Sequence, residues 1–597
     1  MPTFDASRWT IAAWVAVVLF YSVLGLVILA PEAVYSGDIG VKYVQAQALA
    51  DQHFRTLDIP YPGQSLDPQR EFFPLRRPFV IRPNGITQAI FPPASAMLPA
   101  LAVGPFGFRG FIGLTLAAGA VILAASARLA PRHLGPALII TLGLAGPLWF
   151  YAISGWEHAP AVAFSTAAFA VALRGTRHVD RTALIAGLLV GVGAALRDEV
   201  VLVAPGLLLA LWWRDRSWRS IIGGIAGVTA PLLLAAAVDV WWFERPAAAH
   251  LRHAVHVLRT ALSISKTPNL ELPELEPMTA HDRYFTVVSY WLLGRGTDLQ
   301  VAAFASGLIA ALLIRWRFGS SIGIAIWLAA VGWTTVTDVW DVLTAPKWVA
   351  GLLRVAPYVV FAVIPLVPEA RRLVASGARS PELPSPRTPE VPSSRTPELP
   401  RPRAPELTAF RSIVLFTTAI YLVISYLGVD TNGGKSLGPR LLLPLLPLLT
   451  VSAVIAIASY LKSPVITDRL VGWMGVAYVV MGLAIHLGGA VPAYRQRNLD
   501  DSSAILALAR SPERIVVADD MYTAQLLFPL YDRKIILLAD SPDRGQVLGQ
   551  LLVDQRDAEL ARAVLVSRNP EPAVMLPPLS VERTEQQGRM RIQYWRR

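Results

Sequence analysis

The chain has 597 residues, of which 54% are hydrophobic and 16% are charged, and its formal net charge is +12. Soluble domains contain about 45–50% apolar and about 25% charged residues, so this composition excludes an ordinary soluble protein. The chain contains no cysteine, which excludes disulfides and thiolate chemistry. Arginines in the loops between apolar runs carry most of the positive charge, and this pattern indicates membrane topology rather than nucleic-acid binding.

The sequence predicts an all-α polytopic membrane protein with a small C-terminal α/β domain. The first apolar run, 10–30, is too long for a signal-peptide core of about 7–15 residues, so we read it as a retained span. With the N-terminus in the cytoplasm, the excess of Arg and Lys in alternate loops places the C-terminal tail outside the cell membrane. About 13 transmembrane helices are predicted, at 10–30, 110–127, 135–153, 158–173, 181–196, 200–213, 220–243, 299–314, 319–336, 348–367, 411–428, 439–461 and 471–490.

One segment decides this topology. "FPPASAMLPALAVGPFGF", 91–108, is apolar but short and contains four prolines. If it crossed the bilayer, Arg128 and Arg132 would lie outside, and every later loop would be inverted. If it only dips into the interface, these arginines and those of the later short loops lie inside. The non-crossing interpretation therefore fits the loop charges.

Four regions follow from this map. Residues 1–367 form a transmembrane core with outer loops at 31–109 and 244–298, and 411–490 contribute the last spans. Between them, 368–410 hold a proline-rich octapeptide repeat ("RSPELPSP", "RTPEVPSS", "RTPELPRP"), which favours extended polyproline II. This linker is either a cytosolic tether or a docking site for a proline-reading partner. Residues 491–597 are predicted to form an extracytoplasmic α/β domain, with strands at 514–520, 534–540 and 563–567 and helices near 521–529 and 543–561.

Acidic residues occur at the predicted outer ends of the spans. Asp38 begins an amphipathic segment, "DIGVKYVQAQALADQHF", directly after the first span. There it is either a functional carboxylate or, like Ser36, a helix cap. "SGWEHAP", 154–160, places Glu157 and His158 at membrane level, where an ionisable residue is costly and is a functional candidate. The alternative is an acid that reaches headgroup water.

Cationic residues occur at two further outer turns. "LRDEV", 196–200, brings Arg197 next to Asp198 and Glu199, and these charges could also pair with one another as a structural unit. "DTNGGKSLGPR", 430–440, brings Lys435 and Arg440 to the start of a span. An anionic lipid headgroup would find donors there, although simple anchoring at the interface is the alternative.

These motifs resemble those of a known family. "SGDIGVKYVQAQAL" is similar to the acidic start of the first outer loop in polyprenol-dependent membrane glycosyltransferases of the GT-C fold. That family includes the protein O-mannosyltransferases and the lipid A aminoarabinose transferase. "FPPASAMLPALAVGPFGFRGFIGL" resembles the family's juxtamembrane Pro-Pro segment, and "SGWEHAP" resembles its second acidic turn. "GPRLLLPLLPLL" is similar to a late Gly-Pro-Arg run.

The resemblance implies inverting transfer of a sugar from a polyprenyl-phosphate carrier to a lipid, glycan or protein acceptor at the outer face. Asp38 would be the base, and Glu157 would position the acceptor, share the base role or help to bind a divalent cation. Lys435, Arg440 and Arg197 would contact the phosphate, and Lys42 and His158 complete the candidate substrate-binding residues. No cofactor is required, and membrane lipids are further partners.

Two alternative functions are open. A transporter or flippase for a lipid-linked sugar would predict interrupted helices, internal repeats and charges near the middle of the bilayer, but the spans show no repeat. A cell-envelope polysaccharide ligase or polymerase would use Arg and His in a large outer loop, and 244–298 contain "HLRHAVH". His250, His253 and His256 in that motif form either a metal site or, more simply, a basic interfacial helix.

Overall fold

The computed structural model describes residues 6–82, 85–174, 179–243, 278–294, 298–318, 320–344, 351–366, 404–428, 437–555 and 560–597. The proline-rich repeat, most of the loop 244–298 and Lys435 lie outside these residues.

Helices make up most of the described chain, because a helix satisfies its own backbone hydrogen bonds where the bilayer offers no water. In chain order they are α1 (Ala6–Val23), α2 (Gly37–Asp51), α3 (Pro93–Leu129), α4 (Gly135–Leu144), α5 (Leu148–Ile153), α6 (His158–Arg174), α7 (Val179–Leu196), α8 (Ala204–Asp215), α9 (Trp218–Trp241), α10 (Ala280–Tyr284), α11 (Asp298–Phe318), α12 (Ile322–Thr344), α13 (Leu352–Val355), α14 (Ala404–Gly428), α15 (Leu446–Leu461), α16 (Ile466–Leu483), α17 (Val491–Arg510), α18 (Met521–Leu526) and α19 (Pro542–Val553). The strands are β1 (Val80–Ile81), β2 (Gln88–Ala89), β3 (Ile515–Ala518), β4 (Ile535–Leu538), β5 (Arg562–Ser567), β6 (Ser580–Gln587) and β7 (Met590–Arg596).

The chain is a multi-pass helical membrane protein with a C-terminal sheet domain, as its sequence predicts. Within the described ranges, seven helical segments are long and apolar enough to cross a bilayer. Large apolar side chains on them face outward, such as Trp241 at 83% and Trp316 at 84% exposure. The number of about 13 spans stays a prediction. The seven segments are Ser7–Ile28, Pro93–Leu129, Trp218–Trp241, Gln300–Phe318, Leu407–Gly428, Arg440–Leu461 and Ile466–Arg510.

Several predicted spans are interrupted, and prolines account for the breaks. The span 135–153 divides into α4 and α5 just before Pro147, since proline has no N–H to continue the hydrogen-bond ladder. The span 439–461 starts with a 3₁₀ turn, Arg440–Leu445, that contains Pro444. Within α3, Gly107 has a φ of 56°, so a kink separates the Pro-Pro segment from the following span.

The prediction of a continuous helix over 348–367 is wrong for the described residues 351–366. They form the single turn α13 and a 3₁₀ turn, Pro357–Ala362, and both are buried in protein. The Arg411 guanidinium donates to the carbonyl oxygens of Ala362 at 2.8 Å and Ile364 at 2.5 Å. Irregular backbone is tolerated at membrane depth only where protein satisfies it in this way.

The last predicted span does not end at residue 490. Ile466–Arg510 is one continuous helical segment of 45 residues, although the composition becomes polar after Pro492. The structure therefore has no break where the sequence changes character. The helix leads directly into the C-terminal sheet.

That sheet has five strands in the order β4-β3-β5-β7-β6. The interior strand β3 pairs in parallel with β4 and β5, and β7 pairs antiparallel with β5 and β6. The three predicted strands are confirmed, and helices lie where two were predicted, although the second, α19, ends at Val553 rather than near 561. The hairpin β6–β7 was not predicted, because β6 is polar and mostly exposed.

The C-terminal domain packs against the loop 31–109. The Leu538 amide, at the end of β4, donates to the carbonyl oxygen of Phe72 at 2.8 Å, and Arg76 Nη1 lies 3.3 Å from Asp540 Oδ2. Loop 31–109 and the domain therefore lie on the same side of the helical body.

Candidate active site

Helix α2 presents Asp38 and Lys42 one turn apart. Ser36 occupies the N-cap position, but its side chain makes no capping hydrogen bond. Its hydroxyl donates instead to the carboxylate of Asp38. The capping interpretation of Ser36 is therefore wrong, and Ser36 supports the charged form of its neighbour.

Asp38 is buried between two cations. Its Oδ2 lies 3.0 Å from Arg440 Nη1 and 3.9 Å from Lys42 Nζ, and the residue is 5% exposed. Burial by itself would raise the pKa of Asp38, but Lys42, Arg440 and the Ser36 hydrogen bond together lower the pKa below its ordinary value. Asp38 is therefore a carboxylate at neutral pH.

Glu157 lies in the turn before α6, where Gly155 adopts a φ of 78° that favours glycine. A single oxygen, Glu157 Oε1, accepts hydrogen bonds from Lys42 Nζ at 2.8 Å and Arg197 Nη1 at 3.0 Å. Burial would raise the pKa of Glu157, yet Lys42 and Arg197 lower it overall. Glu157 thus carries a full charge between two cations, as Asp38 does.

Arg197 connects this pair to a third acid. Its Nε lies 2.9 Å and 3.1 Å from the two carboxylate oxygens of Glu199, and its Nη1 binds Glu157 as described. Burial would lower the pKa of Arg197, but Glu199 and Glu157 raise it. Charges within the turn 196–200 therefore pair with one another, which was one of the two interpretations of its sequence. The turn also joins the cluster around Asp38.

We call Arg440, Asp38, Lys42, Glu157, Arg197 and Glu199 the charge ladder, because acids and bases alternate along it through successive ion pairs. Its three acids balance its three bases. A buried ion is strongly destabilising once its partner is removed, so each member holds its neighbours in place. Five of the seven predicted site residues lie on the ladder. Of the other two, His158 lies beside it, with Nε2 3.7 Å from Glu199 Oε1, and Lys435 is outside the described residues.

Unused hydrogen-bonding groups surround the ladder. Among the described residues, Glu157 Oε2, Trp156 Nε1, both ring nitrogens of His158 and Arg440 Nε are buried and have no hydrogen-bond partner. Buried polar groups in proteins are nearly always hydrogen-bonded. Such a concentration of free donors and acceptors fits a site that binds a polar molecule.

A small pocket adjoins the ladder at Lys42. Lys42 Nζ lies 4.1 Å from the ring centre of Phe91, a cation–π contact. The pocket is also lined by Gln45, Pro92, Pro93 and Ser95. The Pro-Pro segment noted in the sequence thus forms one wall beside the charged residues.

Sequence reasoning missed several groups that the fold brings to the ladder. Glu199 was considered only as a partner within its own turn, and Phe91 and Trp156 were not considered as site residues. Trp156 lies under Arg440, with 5.5 Å from the ring centre to the guanidinium carbon. Over the described ranges, no three His, Cys, Asp or Glu side chains are placed to hold a metal ion, and His250, His253 and His256 lie outside those ranges.

Comparisons with known proteins give structural matches only. No family model matches the chain, and no curated protein matches it. Among solved structures, the chain is similar to the crystal structure of ArnT from Cupriavidus metallidurans bound to undecaprenyl phosphate. That match has 14% identity, covers 99% of this chain and 98% of ArnT, and has a TM-score of 0.39. The apo ArnT structure matches over the same shares at 15% identity, also with a TM-score of 0.39.

The archaeal oligosaccharyltransferase AglB from Archaeoglobus fulgidus, in complex with an inhibitory peptide and a dolichol-phosphate, matches at 11% identity and a TM-score of 0.42. It covers 94% of this chain and 70% of AglB. ArnT is a lipid A aminoarabinose transferase of the GT-C fold, the class of protein that the sequence motifs resemble. At these identities and TM-scores the likeness carries no argument about the site or the reaction.

Proposed function

We propose that the chain is a membrane glycosyltransferase that moves a sugar from a polyprenyl-phosphate carrier to an acceptor at the extracytoplasmic face, with inversion at the sugar carbon. The observation that carries the proposal is the position of Asp38. It is an ionised, buried carboxylate held by Lys42 and Arg440, next to free donors and acceptors, directly after the first span.

The cations of the ladder suit the leaving phosphate. In the donor the phosphate is a diester, and when the sugar leaves it becomes a monoester with one more negative charge. Arg440 keeps Nε free while Nη1 binds Asp38, so the guanidinium can contact Asp38 and a phosphate oxygen together. Charge-assisted hydrogen bonds aimed at developing charge are a main source of catalysis. We assign Arg440, Lys42, Arg197 and Lys435 to this role.

Asp38 is the proposed base. As the acceptor oxygen forms its bond to the sugar carbon, the bond from that carbon to the phosphate oxygen breaks, and the acceptor proton passes to Asp38. A carboxylate with a lowered pKa is a weak base at rest. The arriving phosphate competes for Arg440 and Lys42, which weakens their hold on Asp38 and increases its basicity when the acceptor is bound.

Glu157 is proposed to orient the acceptor. Its Oε1 is occupied by Lys42 and Arg197, whereas its Oε2 is buried and has no partner among other described residues. An acceptor hydroxyl could donate to that free oxygen. His158 and Trp156, each with an unused nitrogen beside it, would complete a polar wall for the sugar or the acceptor.

The test is mass spectrometry of cell-envelope lipids and glycans from cells with and without the gene. Transfer predicts that one glycan or lipid loses a sugar when the gene is deleted, while the polyprenyl-phosphate sugar accumulates. A flippase predicts that several products depending on the same donor are lost together. A ligase or polymerase predicts loss of a whole polymer rather than of one sugar. Either of the last two outcomes would overturn the proposal.

A further inference from the structure

The C-terminal domain touches the helix that bears Asp38. Gly37 and Gly40 lie three residues apart on α2 and therefore share one face of the helix, and this face packs against Gln525 of α18. A Cβ added at Gly40 would come within 2.2 Å of the backbone carbonyl oxygen of Gln525. A Cβ added at Gly37 would come within 2.2 Å of Gln525 Oε1 and 2.8 Å of Gln525 Cβ. Only glycine permits so close an approach at these two positions.

An aromatic cluster extends this contact. The ring of Phe528, just after α18, lies 5.1 Å from Tyr43 of α2 and 5.3 Å from Phe108 of α3. Tyr43 and Phe108 are themselves 5.4 Å apart. Helix α2 is thus enclosed between the domain and the membrane body, with its glycine face on the domain.

The segment that leads into α2 is also held from the C-terminal side. Asn498 of α17 accepts from the Ala30 amide at 2.7 Å and donates to the Ala33 carbonyl oxygen at 3.0 Å. Arg497 donates to the Tyr35 carbonyl oxygen at 2.7 Å and lies 4.3 Å from the Tyr35 ring centre. The segment from Ala30 to Tyr43 therefore contacts residues beyond 490 at several points.

We propose that the C-terminal domain is a positioning part of the active site, in which Gln525 and its helix α18 fix α2, and with it Asp38 and Lys42, relative to Arg440 and Glu157. The inference rests on the proposed function for the reaction that it serves. Its physical reason is steric: α2 can move away from the ladder only if the domain moves with it. Misplacing a catalytic group by about 1 Å can lower the rate about 100-fold.

The first test is Gly40→Ala, with Gly113→Ala as its matched control. Both glycines are helical, but a Cβ at Gly113 meets nothing within 4 Å. We expect Gly40→Ala to lower kcat by about 10- to 100-fold while the KM for the donor changes less, because only Lys42 of the proposed phosphate ligands stands on α2 and the others stand on other segments. The control should leave kcat unchanged. Equal kcat in both variants would overturn the proposal.

A size exchange gives the second test. Gly37→Ala should slow transfer, and adding Gln525→Gly should restore much of the lost rate, since it removes the side-chain atoms that the new methyl group meets. Rescue by a second change in the other domain would show that the loss comes from this contact and not from a defect within α2 itself. A double variant slower than Gly37→Ala alone would count against direct positioning.

The third test needs no activity. Ala46, on α2, and Ala168, on α6, are both fully buried, and the chain has no other thiol to interfere. Gly40→Ala should speed maleimide labelling of an Ala46→Cys reporter and leave an Ala168→Cys reporter protected. Unchanged labelling at position 46 would overturn the proposal. Faster labelling in a protein that transfers no sugar would support the contact and overturn only the proposed reaction.

Discussion

Arg440 and Asp38 are 402 residues apart in the chain, yet Arg440 Nη1 donates to Asp38 Oδ2 at 3.0 Å. The contact joins the start of a late span to the helix after the first span. It places a candidate phosphate ligand beside a candidate base.

Asp38→Asn should abolish transfer while the protein is still expressed and inserted. Asparagine is similar in size but cannot accept the acceptor proton, and loss of general-base catalysis costs about 10²- to 10⁴-fold in rate. Initial rates with a polyprenyl-phosphate sugar donor measure the loss. Asp51→Asn, an exposed change on the same helix, is the control. Activity within a factor of about two of the wild type, well short of the general-base range, would exclude Asp38 as the base.

Glu157→Gln should slow transfer less than Asp38→Asn but destabilise the protein more clearly than an exposed change. The substitution removes the charge that compensates both Lys42 and Arg197. Breaking a buried ion pair costs about 3–5 kcal/mol, and the amide oxygen that remains should reduce this cost. Thermal unfolding in detergent measures it, with the exposed Glu71→Gln as control. Unfolding temperatures that agree for the two variants would show that the ladder is not needed for stability.

Arg440→Ala and Lys435→Ala should each weaken use of the donor, and Arg440→Ala should also lower stability, because it leaves the buried Asp38 with one cation fewer. A hydrogen bond to a charged group contributes about 1.5–3 kcal/mol, which corresponds to about a 10- to 100-fold increase in the KM for the donor. Arg440→Lys should recover only part of the loss, because lysine keeps the charge but not the second nitrogen. The exposed Arg469→Ala should leave donor kinetics unchanged. Normal donor kinetics in the double alanine variant would remove both residues from the site.

The acid limb of the rate–pH profile should lie below the ordinary aspartate pKa of about 3.9, because the folded pKa of Asp38 is lowered. Stability should depend on pH in the same direction. Because the pKa of Asp38 is lower in the folded protein than in the unfolded chain, Asp38 stabilises the fold at pH values above its unfolded pKa. This stabilisation is lost as the pH falls through its folded pKa. In Arg440→Ala one cation is gone, so the limb should move to higher pH. Transfer rates between about pH 3 and 8, a range that brackets this pKa, measure the shift. If the acid limb lies at the same pH in the wild type and in Arg440→Ala, Asp38 is not the group that titrates.

Single-cysteine labelling should place Asp51→Cys, Leu270→Cys and Asp532→Cys outside and Glu390→Cys inside. The loop charges carry this prediction, and the cysteine-free chain makes each reporter unambiguous. Impermeant maleimide applied to intact cells measures it, with disrupted cells as the control. An inside signal at position 532 would overturn the predicted topology and the outer location of the ladder.

The sequence identified most members of the ladder, because each is a charged residue at the end of an apolar run. It did not identify their partners. Nothing local indicates that Lys42 binds Glu157, or that Arg197 joins Glu157 to Glu199, since the cluster forms only when three separate segments pack together. The spacing of Gly37 and Gly40 was visible in "SGDIG", but its reason, the carbonyl of Gln525, lies almost 500 residues away.

The fold class was predictable for a similar reason, and the details of the spans were not. Apolar length is a local property, so the helical membrane body and the apolar strands of the C-terminal sheet could be predicted from composition. The broken segment at 351–366 is as apolar as a span, and it is irregular because Arg411 satisfies its carbonyl groups from another helix. The polar strand β6 shows no alternation, since it is an exposed edge.

The continuous helical segment Ile466–Arg510 gives the bilayer a way to influence the site. At 1.5 Å per residue its 45 residues extend about 68 Å, more than twice the roughly 30 Å of hydrocarbon that a helix must cross. More than half of this length therefore exceeds the hydrocarbon layer, and the C-terminal sheet follows directly after Arg510. A change in the tilt of this helix, such as a thinner or thicker membrane imposes, would swing the domain and carry α2 with it. The thickness of the surrounding lipid would thereby be transmitted mechanically to the distance between Asp38 and Arg440.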